Sequence, residues 1–155
     1  MIRTVQGRKI LFVAGIVFAL LIVILFFSLF FFSSGRQAKN TVETFYEYEQ
    51  QGYYSESWEM FHPYMQEKFQ KGHYMEDRPH VFRNHFGVDT FSFSIGDVKK
   101  VNDWIMEEGK EPIDTAYRVT VYQGFSGKYG RFTITQHVYA TETEDDWKIL
   151  WDYAG

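Results

Sequence analysis

An α+β fold, with helices first and an antiparallel sheet after them, behind one membrane-spanning helix, is what this sequence predicts. Three observations carry the prediction. Ile10 to Phe32 is an uncharged apolar run of 23 residues. After Gly87 the spacing of apolar residues changes from three and four to two. Each of the alternating segments is apolar on one side only, the pattern of a sheet covered on a single face.

The apolar run comes first. At 1.5 Å per residue it spans about 35 Å, enough for a hydrocarbon core of about 30 Å. A cleaved signal peptide is the rival, since Arg3, Arg8 and Lys9 precede the run and Ser33-Ser34-Gly35 follows it. A signal's apolar region is usually about 7 to 15 residues, and Phe30, Phe31 and Phe32 suit a peptidase site poorly, so an uncleaved anchor is preferred. The chain has no cysteine, which excludes a lipoprotein anchor, disulfides and thiolate chemistry. The Lys/Arg bias places residues 1–9 in the cytoplasm and residues 33–155 outside. Gly15 and Ala19 are small residues four apart, which leaves homo-oligomers open, although such residues are common in any membrane helix.

Residues 33–155 carry 13 Lys plus Arg against 20 Asp plus Glu, a net charge of 13 − 20 = −7. That balance disfavours nucleic acid as a partner. From Arg36 to Gln51, Ala38, Val42, Phe45 and Tyr46 recur at helical spacing, with Glu43, Glu47, Glu49 and Gln50 assigned to other faces and Gly52 as the stop. A second helix begins near Ser55, buries Trp58 and Phe61 and is stopped by Pro63, after which "YMQEKF" adds a turn. A third follows Asp77 as N-cap, with Pro79 in its first turn, Phe82 and Phe86 as its apolar stripe and Gly87 as terminator.

The strands follow. "TFSFSI", "AYRVTVYQ", "RFTITQHVYA" and "WKILW" alternate, and the last places Trp147, Ile149 and Trp151 on the core face. Between them "EEGKEP", "GFSGKYG" and "TETEDD" read as hairpin turns. The opposite, wet face collects Arg118, Tyr122, His137 and Tyr139, a patch of the residue types that favour interfaces and the candidate interaction surface. Tyrosine and threonine also suit strands for their own sake.

No catalytic, cofactor or metal site is expected. His73, His80 and His85 lie near Glu76 and Asp77, but His80 and His85 are five apart and so do not share a helix face. In "GFSGKYG" the glycine-lysine pair is followed by Tyr129 and opens no helix, unlike a phosphate loop. Inward tyrosines such as Tyr46 and Tyr117 read as core residues with satisfied hydroxyls. Alternate turns of a meander share one end, so Glu107, Glu108, Glu111 and Asp114 should gather near Glu142, Glu144, Asp145 and Asp146; solvated tips are the preferred reading over a cation or basic partner.

Helix, a second helix ending in His-Pro ("SWEMFHP"), a third, then a meander ending in "DDWKILWDYAG" together resemble the cone-shaped, cystatin-like family of nuclear transport factor two. Within it the chain is most similar to the N-terminal, non-catalytic extracytoplasmic domain of class B penicillin-binding proteins, whose last strand carries a W-K-I-x-W-D motif matched by Trp147, Lys148, Ile149, Trp151 and Asp152. The resemblance covers roughly residues 36 to 155 and implies three helices packed on a curved antiparallel sheet. The transpeptidase motifs S-x-x-K and K-T-G of those proteins do not occur here, so a domain that ends at Gly155 without the catalytic part is expected. The resemblance implies a membrane-anchored interaction or spacer module beside the cell-wall synthesis machinery of the bacterial envelope. Two alternatives stand beside it: an assembly subunit of a secretion or conjugation channel, and a small-ligand-binding or isomerase-like enzyme.

Overall fold

The computed structural model describes residues 3–81, 84 and 87–154. The chain forms two compact units, Met1–Ser34 and Gly35–Gly155. Helix α1 runs Arg3–Gln51. In the first unit the side chains from Ile10 to Leu29 face outward whether apolar or small, so this is a helix long and apolar enough to cross a membrane.

The second unit begins on the last turns of α1. Ala38, Val42, Phe45 and Tyr46 are buried, as their spacing predicts. The helix stops at Gly52, whose positive φ of 79° suits glycine. Tyr53 N–H bonds the Tyr48 carbonyl at 2.8 Å and Gly52 N–H that of Glu49 at 3.3 Å, the paired closure of a Schellman end. Three short helices follow: α2 Tyr54–Glu59, α3 Pro63–Lys68 and α4 Lys71–His80. Pro63 starts α3 instead of merely ending α2, because a first-turn proline loses no hydrogen bond. His62 caps that helix, its Nδ1 accepting from Tyr64 N–H at 3.2 Å.

The expected third helix is displaced. Asp77 and Pro79 lie inside α4, with Gln70 at the N-cap position, so Asp77 caps nothing. Tyr74 faces inward from α4, and burial of that ring outweighs the local N-cap preference of Asp77. The stripe of Phe82 and Phe86 falls outside the described residues.

Four strands, β1 Ser92–Trp104, β2 Ile113–Gly127, β3 Gly130–Glu142 and β4 Trp147–Trp151, form one antiparallel sheet in sequence order. Lys128 and Tyr129 are the whole turn between β2 and β3, so "GFSGKYG" is a hairpin. The core face carries Val119, Val121 and Phe125 from β2, Val138 and Ala140 from β3, and Ile149 from β4, all buried. Trp147 and Trp151 share that face: Trp147 donates its Nε1 proton to Gln37 Oε1 at 2.9 Å, and the Trp151 ring meets Phe45, Phe61 and Phe69 edge-on at 5.1 to 6.2 Å. Trp58, half-buried against the same core, donates its Nε1 proton to the Phe69 carbonyl at 2.7 Å.

The edge of β4 is closed by the link between α2 and α3. Ile149 N–H bonds the Met60 carbonyl at 2.8 Å and its carbonyl accepts from His62 N–H at 3.0 Å, a parallel bridge beside Phe61.

Candidate functional site

Two places in this unit gather ionisable side chains. The first lies inside, between α1, α2 and α4. Glu49 is fully buried and takes four hydrogen bonds. Its Oε1 accepts from Ser57 Oγ at 2.5 Å and Tyr74 OH at 2.7 Å, and its Oε2 accepts from Arg78 Nε at 2.7 Å and Nη2 at 2.5 Å. A carboxylate has about four lone-pair positions, so this one is saturated. The Arg78 guanidinium lies 5.6 Å from the Trp151 ring and 5.7 Å from that of Tyr74. Burial works against the Arg78 charge, but the Glu49 carboxylate more than offsets it and holds the guanidinium protonated. Burial first, and the Glu49 charge second, push the Tyr74 phenol well above its ordinary value, so it serves as a donor only.

One turn earlier on α1, Tyr46 donates to Gln136 Oε1 at 2.9 Å, with Gln123 also buried on the core face. Burial raises this phenol too. Gln123 and Gln136 interrupt the apolar alternation of β2 and β3, and Tyr46 is what they answer to.

Glu49 is expected on a face other than the apolar one, but the structure buries it on the apolar face. The signal was present: Ala38, Val42, Phe45 and Glu49 are spaced four, three and four, one continuous stripe. A glutamate on such a stripe needs a buried cation, and Arg78 supplies it.

The second place is the face of the sheet turned away from α1. Arg118, Tyr122, His137 and Tyr139 all lie on it, as the alternation predicts, and Arg118 stands directly opposite Tyr139. They do not make one solvated patch. Tyr139 is only 5% exposed, stacked flat on Trp104 at 3.8 Å, and it donates to Asp152 Oδ2 at 3.2 Å. Burial and the Asp152 charge raise its phenol. Arg118 Nε is buried with no acceptor among the described residues. Tyr122 is 41% exposed and His137 is exposed, but Thr120 lies buried between the two pairs and bonds His137 Nδ1 at 3.3 Å.

The cover over Tyr139 is the Trp104 ring, at the end of β1 and at the start of a segment that reads as a plain turn. After Trp104 the chain folds back, buries Met106 completely and takes Tyr153 N–H on the Met106 carbonyl at 2.9 Å. Lys68 pairs with Glu107 at 2.7 Å and Lys110 with Glu67 at 2.6 Å. The segment is a clasp tying the β1–β2 connection to α3. Leu150, directly opposite Tyr139, is also fully buried on the face expected to be wet.

The clasp takes Glu107 out of any acidic cluster, and among the described residues no group of acidic or histidine side chains could hold a metal ion. His80 Nδ1 is hydrogen-bonded with Asn84 at 2.7 Å, while His85 falls outside the described residues. No family model matches this chain, and no curated protein matches it either.

Proposed function

We propose that this protein is a membrane-anchored, non-catalytic interaction or spacer module of the bacterial cell envelope, associated with cell-wall synthesis enzymes of the penicillin-binding type. In this reading residues 1–9 are cytoplasmic, the apolar helix crosses the membrane once, and the domain that follows lies outside the cytoplasm. The observation that carries the non-catalytic part is the saturation of Glu49. It is the one fully buried carboxylate among the described residues, and its lone-pair positions are taken by Ser57, Tyr74 and Arg78, so it has none to offer a substrate proton. The envelope setting is supported by the exposed apolar helix and the Lys/Arg bias around it. The cell-wall association is supported by the resemblance of the helices, the meander and the final "WKILWD" to the extracytoplasmic domain of class B penicillin-binding proteins.

Proximity labelling from a tag after Gly155 in living cells tests the reading. Enrichment of cell-wall synthesis enzymes is the expected result. Enrichment of secretion or conjugation channel subunits, or a small molecule recovered from the purified protein, would overturn it in favour of the channel-subunit or ligand-binding alternative.

A further inference from the structure

One stretch of the sheet has an edge that no strand pairs with among the described residues. β4 pairs with β3 only from Val138 to Glu142, so among the described residues the one strand that pairs with Gly130–His137 is β2. The direction of each backbone group follows from β4. Ile149 spends its N–H and carbonyl on Met60 and His62, away from β3, so the hydrogen-bonded pairs with β3 are Tyr139–Leu150 and Thr141–Lys148. Backbone groups alternate along a strand, and the β2–β3 register runs unbroken from Tyr117 to Gly127. Arg131, Thr133, Thr135 and His137 therefore aim their N–H and carbonyl groups at the free edge.

The other outer edge of the sheet is blunted. β1 carries a bulge between Ile95 and Val98 and the charges of Asp97, Lys99, Lys100 and Asp103, the usual protection against strand addition. The free stretch of β3 has no bulge and no proline, and its only formal charge is Arg131 near the hairpin tip.

We propose that this edge pairs with the same edge of a second copy, joining two sheets through an antiparallel β3–β3 contact. The register follows from sterics. Trp151 already occupies the position beside Val138, so the partner's strand must reach its turn before that point. The longest pairing that satisfies this places Thr133 opposite Thr133 of the second copy and Arg131 opposite Thr135, with the partner's turn beginning at Tyr129, beside His137. Each of these is a hydrogen-bonded pair, and the two Arg131 side chains stay apart. Between them Phe132 faces Ile134 of the other copy, where Ile134 is 37% exposed. Tyr129, 80% exposed at the tip, falls beside His137. The alternation of β3 is thus complementary to itself, the requirement of a two-fold interface. A contact of about five residues is small, so the association is weak and suited to trapping.

The inference does not depend on the cell-wall reading. The native chain has no cysteine, so Thr133→Cys introduces a single thiol. Opposed residues of a hydrogen-bonded pair have Cα atoms about 5.5 Å apart, within disulfide range. On mild oxidation of the full chain in membranes, Thr133→Cys is expected to give a covalent dimer, at least tenfold more than Lys99→Cys on the blunted edge. Thr133→Pro removes an outward N–H and no ladder bond, so it should fold as the parent does and lose the dimer trapped by bismaleimide through a second thiol, Thr135→Cys, whose two copies lie about 14 Å apart across the two-fold axis. The proposal is overturned if Thr133→Cys gives no more dimer than Lys99→Cys. It is overturned equally if Thr133→Pro leaves the trapped dimer unchanged, which would assign association to another surface such as Gly15 and Ala19, or if the edge captures a different protein and no second copy.

Discussion

The two ends of the sheet are built on opposite principles. At the β4 end three sides are used: α1 packs on one face, the Trp104 ring stacks on Tyr139 on the other, and Met60–His62 bridges the edge. At the β2–β3 tip the strands run on past β4, carry exposed Tyr122, His137 and Tyr129, and leave one edge unpaired among the described residues. The closed end contains the buried ion pair and the tryptophans; the open end contains hydroxyls and glycines. A domain that must be stable yet present a surface to others can divide its labour in this way, since exposed backbone edges contribute nothing to stability and are the natural place for another strand to add.

Breaking the closed end should have the largest effect. Glu49→Gln leaves the Arg78 guanidinium buried without its counter-charge, an expected loss of about 3 to 5 kcal/mol. Denaturant titration of the full chain in detergent checks this, and Glu49→Leu combined with Arg78→Met should recover much of the loss, since an apolar pair of similar volume leaves no unpaired charge.

Proline placed along β3 sharpens the contrast within one strand. Ile134 aims its N–H at Gln123 of β2, so Ile134→Pro should cost about 2 to 3 kcal/mol by stranding that carbonyl, while Thr133→Pro next to it changes melting little. Equal costs at the two positions would mean that the free edge is already occupied in the monomer.

Trp104→Ala tests the cover over the second face. Losing the stacked contact with Tyr139 should destabilise the domain by about 2 kcal/mol, with a visible change in tyrosine near-ultraviolet dichroism. The same substitution would be nearly neutral if that face were as wet as its sequence pattern suggests.

His62 gives the smallest effect and a dependence on pH. Burial lowers its pKa from the ordinary 6.5, with Lys148 adding to burial and Glu67 opposing both. A base whose folded-state pKa is depressed contributes stability that is fully present above the unfolded value and is lost as pH falls through the folded one. Only the neutral ring can accept the Tyr64 N–H bond. Stability should therefore decline as pH is lowered below about 6.5, by about 1 kcal/mol or less for this cap. His62→Asn, which caps without titrating near neutrality, should remove that part of the slope.

Much of the fold was legible because it follows local rules. The stop at Gly52, the four strands, their order and the core face of Trp147, Ile149 and Trp151 all come from period and turn chemistry. What was not legible depends on partners distant in sequence. Glu49 sits on an apolar stripe but is explained only by Arg78, and Tyr139 alternates as a wet residue but is covered by Trp104. Asp77 has the chemistry of a cap, yet helix α4 starts earlier because Tyr74 is wanted in the core. Of the four residues expected to form an interaction surface, Tyr122 and His137 are exposed, Arg118 is half-buried and Tyr139 is interior.

The contrast between the two ends is tested most directly by residue-resolved amide hydrogen exchange along β3, on the full chain at a dilution where it is monomeric. From Val138 to Thr141, successive amides should all be protected, odd residues by β4 and even ones by β2. From Arg131 to His137 protection should alternate, with Phe132, Ile134 and Gln136 slow and Arg131, Thr133, Thr135 and His137 fast. Uniform protection from Arg131 to His137 in the monomer would contradict the account, because it would mean that the open edge is closed within a single chain.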